Sequence, residues 1–365
     1  MLYRKLAKSV LFQMDPERAH HLVIDGLHAA ETIPGITGLI GAIYGVPFVP
    51  ELAVDLCGLR FPTPIGLAAG LDKNAQAVRG FSVMGFGFVE VGTVTPKPQP
   101  GNDQPRLFRL VSDEALINRM GFNNIGAEAM AANLARAHRR PIPVAVNIGK
   151  NKLTPNEQAE DDYRECIRVL FPHGDFFVVN ISSPNTPGLR NLQHGEELKR
   201  LLAAVREEMA RQQSKTGMGD KPVFVKLAPD LSDEELEYMM ETIMGSGVSG
   251  VIATNTTINR DGLTHPHAEE TGGLSGRPLT QRSTEVIRRI YAISGGTVPI
   301  IGVGGIFSAA DAYEKIRAGA SLVEVYTALI YRGPGLLREL NHGLLALLRR
   351  DGYSHISEAV GTDHP

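Results

Sequence analysis

Eight times between residues 64 and 328 a short apolar, β-branched run gives way to a longer polar stretch, and that rhythm restricts the fold more than any other feature of the chain. The runs are PIGLAAG (64–70), FGFVEVGTV (86–94), VAVNIGK (144–150), FFVVNIS (176–182), VFVKLAP (223–229), GVIATNT (250–256), PIIGVGG (299–305) and LVEVYTA (322–328). The stretches 124–139, 196–213, 232–244 and 308–318 between or after them read as helices. Two of these open on capping signals, Ser232 with Glu235 and Ser308 with Asp311. Near-continuous apolar strands alternating with amphipathic helices call for a parallel sheet covered by helices. Eight such units over roughly 250 residues is the size of a (β/α)8 TIM barrel, whereas a doubly wound sheet has about six strands. The expected division is a helical extension over 1–50, one barrel over 51–355 and a short tail over 356–365.

In the extension, Leu2, Leu6, Val10 and Leu11 share one helical face, with Arg4, Lys5 and Lys8 off it. Asp15-Pro16 reads as an N-cap followed by proline at the first helical position. Ala19, Leu22, Val23, Leu27 and Ala30 then fall on one side of a second helix, and Ile36, Leu39, Ile40, Ile43 and Tyr44 on one side of a third. Two readings are open: a cap packed on the barrel, or an amphipathic unit lying on a membrane with its basic residues toward anionic lipid. A span is not expected. Residues 32–50 carry no charge, but Pro34, Gly35, Gly38, Gly41, Gly45, Pro47 and Pro50 interrupt them, and spanning takes about 20 continuous apolar residues. The apolar stretch after Lys8 ends at Gln13, too short for an export signal.

The net charge of −3 argues against a nucleic-acid partner. Cys57 and Cys166, the only cysteines, are too far apart for a CxxC metal or iron–sulfur motif and fit a reducing compartment.

Active sites of this barrel lie at the C-terminal ends of the strands. Those ends hold residues 69–73, Gly92-Thr93, Asn147, residues 180–185, Lys226, residues 254–256, 302–305 and Tyr326-Thr327. Convergent amide, hydroxyl and lysine side chains at the ends of apolar strands suit a polar ligand with many acceptors. Gly302 to Gly305 close the seventh run just before a helix, which suits a phosphate, as do Gly272-Gly273 and Gly276 after the sixth. The competing reading of these glycines is tight packing; a dinucleotide fingerprint is excluded because Phe307 stands where GxGxxG needs glycine. The stretch NISSPNTPGLRNL (180–192) is either a plain turn or a rigid, hydrogen-bonding loop at a site. No histidine lies at the strand ends, and His265 and His267 lack a matching metal pair. Lys226 leaves a Schiff-base lyase open as an alternative.

Taken in order, AAGLDKN (68–74), VGTVTPKPQPGN (91–102), INRMGFNN (117–124), VNIGKN (146–151), VNISSPNTPGLR (179–190), KLAPD (226–230), ATNTT (253–257), GGLSG (272–276), GVGGI (302–306) and VYTAL (325–329) resemble the dihydroorotate dehydrogenase family, and within it the membrane-associated, quinone-dependent class. The resemblance implies FMN held by Ala69, Gly70, Leu71, Asp72, Lys73, Thr93, Asn147, Asn180, Lys226, Thr254, Gly276, Gly305, Tyr326 and Thr327. It implies dihydroorotate, oxidised to orotate in pyrimidine biosynthesis, on Lys73, Asn118, Arg119, Met120, Gly121, Phe122, Asn180, Asn185, Asn255 and Thr256. A ring of alternating N–H and C=O groups needs partners that both donate and accept, and asparagine does both.

The base it implies is Ser183, with Thr186 or a water as candidate relay; Ser182 points the other way along an extended chain. A soluble class taking fumarate or NAD is the alternative. That class carries cysteine in place of Ser183 and lacks the extension, so the resemblance favours a membrane-surface cap. Through that cap a quinone reaches the flavin past His20, Arg109 and Tyr326. The lack of a transit peptide and of a spanning helix favours a bacterial-type peripheral protein on the cytoplasmic face of the inner membrane, and no iron–sulfur partner subunit and no metal are expected.

Overall fold

The computed structural model describes residues 3, 7–137 and 141–364. Eight strands, β1 (Ile65–Leu67), β2 (Phe88–Val94), β3 (Val144–Ile148), β4 (Phe176–Asn180), β5 (Val223–Leu227), β6 (Gly250–Ala253), β7 (Ile300–Val303) and β8 (Leu322–Val325), close into a parallel barrel. Each pairs with its neighbours in sequence, and β8 returns to β1 with Val323 opposite Ile65. Every strand residue except Val303 is buried, which is why the runs read as continuous apolar stretches and not as alternation.

Aromatic rings close the N-terminal end. Phe61, on the hairpin Val54–Leu56/Leu59–Phe61, meets Phe88 edge-on at 5.4 Å; Phe88 lies 6.0 Å from Phe176, and Phe176 lies 5.7 Å from Phe224. A Cβ on Gly66 would fall 2.2 Å from Phe88 Cζ, so β1 needs glycine beside that ring. With this floor packed, the opposite mouth is where a ligand can enter.

Both capping boxes form: Ser232 Oγ accepts from Glu235 N at 3.2 Å and Ser308 Oγ from Asp311 N at 3.2 Å. The helix expected over 124–139 is shorter, Ala127–Arg136, because Asn124 pairs with Gln99 and Gly126 takes φ +86°. A three-stranded antiparallel sheet, Leu107–Leu110, Ala115–Asn118 and Gly273–Gly276, was not anticipated. It alters the phosphate reading of the sixth loop: Gly273–Gly276 is a strand paired with Ala115–Asn118, and of those glycines only Gly276 faces the pocket.

The extension forms α1 (Lys8–Gln13), α2 (Pro16–Thr32) and α3 (Ile36–Tyr44). Asp15 caps α2, its carboxylate accepting from Arg18 N at 2.9 Å. The expected apolar faces divide. Leu11 points inward while Val10 is exposed; Ala19 is buried together with Ile24 while Leu22 is exposed; Ile40 and Tyr44 pack on the barrel while Leu39 and Ile43 face out. Leu2, Arg4, Lys5 and Leu6 lie outside the described residues. Among the described residues no helix is long and apolar enough to cross a membrane. At the other end, the tail returns to the helix Ala309–Arg317, where Gly361 N donates to Ile316 O at 3.1 Å, Asp363 N donates to Arg317 O at 3.0 Å and Arg317 pairs with Asp363 at 2.5 Å.

Candidate active site

The strand ends converge on a pocket in the barrel mouth, lined by Ala69, Gly70, Lys73, Thr93, Asn180 and Lys226 on one side. Thr254, Gly276, Gly305, Tyr326 and Thr327 line the other. Asn118, Met120, Gly121 and Phe122 reach it from the segment after the Ala115–Asn118 strand, and Ser183, Asn185, Asn255 and Thr256 from the loops after β4 and β6.

Four expected contacts sit elsewhere. Leu71 turns into a neighbouring apolar cavity. Asp72 is fully buried beneath its loop, accepting from Gln76 N at 2.7 Å and Ala77 N at 2.9 Å, and burial pushes its carboxyl up to about 6. Asn147 stands one layer back, where its carbonyl accepts from Thr93 Oγ1 at 2.5 Å and its amide donates to Glu90 at 2.7 Å. Arg119 points away and pairs with Glu270 at 2.7 Å. Backbone periodicity places these residues at strand ends or in the right loop, but not the rotation that decides which way each side chain faces.

The amides form two linked groups, Asn180 with Asn255 and Asn185 with Asn118. Asn180 donates to Thr93 Oγ1 at 2.9 Å; Asn255 donates to Ser182 Oγ at 3.0 Å; Asn185 donates to Asn118 Oδ1 at 3.2 Å. Such linkage fixes each asparagine's orientation and so the side it offers the cavity. Ser183 opens on the pocket, its Oγ accepting from Asn185 N at 3.3 Å, while Ser182 is fully buried behind it. The two serines are therefore not equivalent, as alternation requires.

Two lysines supply charge. Lys73 Nζ donates to Gly70 O at 2.9 Å; burial lowers its pKa to about 8, with Glu17 opposing and Arg106 adding to the shift. Lys226 Nζ lies 2.6 Å from Glu90 and 3.7 Å from Glu324. Burial opposes its charge, yet the neighbouring glutamates, Glu90 foremost, outweigh burial and raise its pKa. The Glu90 partner at 2.6 Å favours the ammonium, whereas a Schiff base needs the neutral amine.

Glu90 and Glu324 escaped the sequence reading although each interrupts an apolar run with the same triplet, VEV, at 89–91 and 323–325. An acid inside a buried strand must find a partner, and that was the available signal. The pocket also holds polar atoms with nothing to bind: Thr254 Oγ1 and both Glu324 oxygens are buried without a hydrogen-bond partner. A ring cofactor with amide edges fits the Thr254 hydroxyl, which can both donate and accept. Opposite, Gly276, Gly304–Gly305 and Thr327 with Ser275, whose hydroxyls are 2.8 Å apart, can take a phosphate.

Beside the pocket is a second, apolar cavity of about 310 Å³ between α1, α2 and the barrel. His20 lies in it; burial, then Lys73, holds its imidazole well below the usual range and hence neutral. Arg109 borders it with two nitrogens already donating to Phe12 O at 2.9 Å and Met14 O at 2.8 Å, so it anchors the turn between α1 and α2. Leu107, Leu116 and Tyr326 line both cavities and are the wall between them.

A barrel with this mouth has counterparts. The family described as dihydroorotate dehydrogenase matches residues 51–348, and the chain belongs to that family. It is 56% identical over 362 residues, 99% of this chain and 100% of the relative, to a protein of Deinococcus deserti named dihydroorotate dehydrogenase (quinone). A protein of the same name from Anaeromyxobacter dehalogenans is 54% identical over 98% of this chain and 96% of its own. Among solved structures, DHODH from Eimeria tenella in complex with ferulenol superposes with a TM-score of 0.86 at 43% identity, covering 96% of each chain.

Proposed function

We propose that this protein oxidises dihydroorotate to orotate over an FMN seated in the barrel mouth, and that the electrons leave to a membrane quinone entering through the α1–α2 cavity. The carrying observation is the shared wall: Tyr326, Leu107 and Leu116 separate a polar pocket from an apolar one by a single side-chain layer. When bound, FMN supplies the two-electron chemistry between substrate and quinone.

The chain's own groups do the rest. Lys73, Asn118, Asn180, Asn185, Asn255 and Thr256 hold the substrate's carboxylate and ring amides, and the asparagines bind its donors and acceptors alike. Lys226 presents a fixed positive charge to the cofactor ring. Ser183 Oγ accepts the substrate's proton. A hydroxyl is a weak base and must pass its own proton on. The buried Thr186 hydroxyl is without a partner and is not bonded to Ser183, so a relay through it needs a water between them.

The extension's exposed Val10, Leu22, Leu39, Ile43 and Phe48 rest on the membrane surface. A fumarate- or NAD-linked reaction has no use for an apolar cavity walled by this extension. An acceptor panel tests the reading: the yellow, flavin-loaded protein is expected to turn over with quinones and not with fumarate or NAD. The reverse pattern would sink it.

A further inference from the structure

The three ionisable groups on the pocket floor do not share their charge evenly. Glu90 accepts three donors: Lys226 Nζ at 2.6 Å, Ala69 N at 2.8 Å and Asn147 Nδ2 at 2.7 Å. Glu324, on β8 and fully buried, has no donor on either oxygen, and its nearer oxygen stands 3.7 Å from Lys226. Its register partners on the flanking strands, Gly66 and Val303, are uncharged; the titratable groups facing it are Glu90 from β2 and Lys226 from β5. A buried carboxylate with no donors is among the costliest states a side chain can adopt, whereas the protonated acid is tolerable and carries a donor of its own.

We propose that Glu324 is kept as a neutral carboxylic acid on the floor of the pocket, a positioning residue that leaves the Lys226 ammonium paired with Glu90 alone. The cluster then carries +1 from Lys226 and −1 from Glu90, a sum of zero; ionising Glu324 would make it −1 and weaken the positive field that Lys226 presents to the pocket. Burial first, and then the Glu90 charge, hold the Glu324 carboxyl well above the usual carboxylate range, in keeping with this assignment. The inference rests on the pocket being the FMN site.

Infrared spectroscopy of the flavin-loaded protein, with redox titration of the flavin, tests it. A protonated carboxyl C=O band is expected in the unaltered protein, lost in Glu324→Gln and shifted in Glu324→Asp, which assigns the band even where the glutamine variant does not fold. In Glu90→Gln the same band should vanish, because Glu324 must then ionise to pair with Lys226. At neutral pH the flavin midpoint potential of Glu324→Gln should match the unaltered protein; on alkaline titration the unaltered protein's potential should fall below that of the variant. Absence of any band sensitive to residue 324, or a potential raised at neutral pH by Glu324→Gln, overturns the proposal. Protein purified without flavin absorbance instead defeats the FMN reading, and the infrared band still reports on Glu324.

Discussion

Arg106 Nη2 and Glu17 Oε1 meet at 2.6 Å with both side chains nearly excluded from solvent, so the extension is bolted to the loop above the barrel mouth by a buried ion pair. Arg106 also donates to Asn102 O at 2.6 Å, and the Asn102 amide donates to Asn185 O at 3.1 Å, in the loop that carries Ser183. Removing one partner strands the other charge, which costs on the order of 3 kcal/mol. Glu17→Gln is therefore expected to lower the melting temperature by several degrees and to slow quinone turnover more than substrate-driven flavin reduction. Burial opposes ionisation of Glu17, but Arg106 outweighs it and holds the pKa below the ordinary 4.5. A depressed folded-state value means stability that is present above about 4.5 and lost as pH falls through the lower folded value. Acid denaturation of Glu17→Gln should lack that component.

Ser183→Ala should retain flavin absorbance, because neither the lysines nor the glycine segments change. Flavin bleaching by dihydroorotate, followed anaerobically by stopped flow, should slow by about 10²–10⁴-fold, the range for losing a positioned base. Ser182→Ala removes an acceptor of Asn255 Nδ2 and leaves the Ser183 hydroxyl in place, so its effect should fall mainly on substrate KM. Equal rates for the two variants would contradict the asymmetry seen in the pocket.

The barrel was legible because eight buried runs leave few alternatives, and the capping boxes because Ser232 and Ser308 carry their acids at a fixed spacing. Pairing between distant segments was not: nothing local in LFRL or ALIN says that Leu107–Leu110 and Ala115–Asn118 join Gly273–Gly276 across more than 150 residues. The extension misled for another reason. One apolar stripe must there serve two environments, so Leu27 lines the cavity, Val23 borders it while still exposed, and Leu22 of the same predicted face is exposed. Around the pocket, Asp72 and Arg119 lie within motifs of the family yet face a loop backbone and Glu270, which a motif match does not encode.

Ala19 is buried on α2 and lines the apolar cavity. Ala19→Phe would put a ring into a space of about 310 Å³ without touching the polar pocket. Overpacking costs roughly 1–3 kcal/mol, which a barrel of this size should withstand. Steady-state assays should show kcat/KM for quinone falling at least about tenfold, since 1.4 kcal/mol of lost access is a factor of ten, with the KM for dihydroorotate unchanged. Loss of both parameters together would mean that the cavity is not a separate entry route.

Lys315 offers a probe of the fold independent of the active site. It is fully buried, donating to Thr280 O at 3.0 Å and Thr284 Oγ1 at 2.8 Å, and burial lowers its pKa from 10.5 to about 7, against the pull of Glu314 and Asp311. Between those values the unfolded chain binds the proton and the folded one does not, so stability rises with pH across that window. Below about 7 both states are protonated and the full penalty of burying the charge is present. Lys315→Met removes the penalty and strands no backbone acceptor, because Thr284 Oγ1 also donates to Thr280 O at 3.0 Å. Urea denaturation at pH 6 and pH 9 should show the unaltered protein gaining stability between the two relative to Lys315→Met, and the variant should be the more stable of the pair at pH 6. A pH slope identical in both proteins would show that Lys315 keeps its proton in the folded barrel.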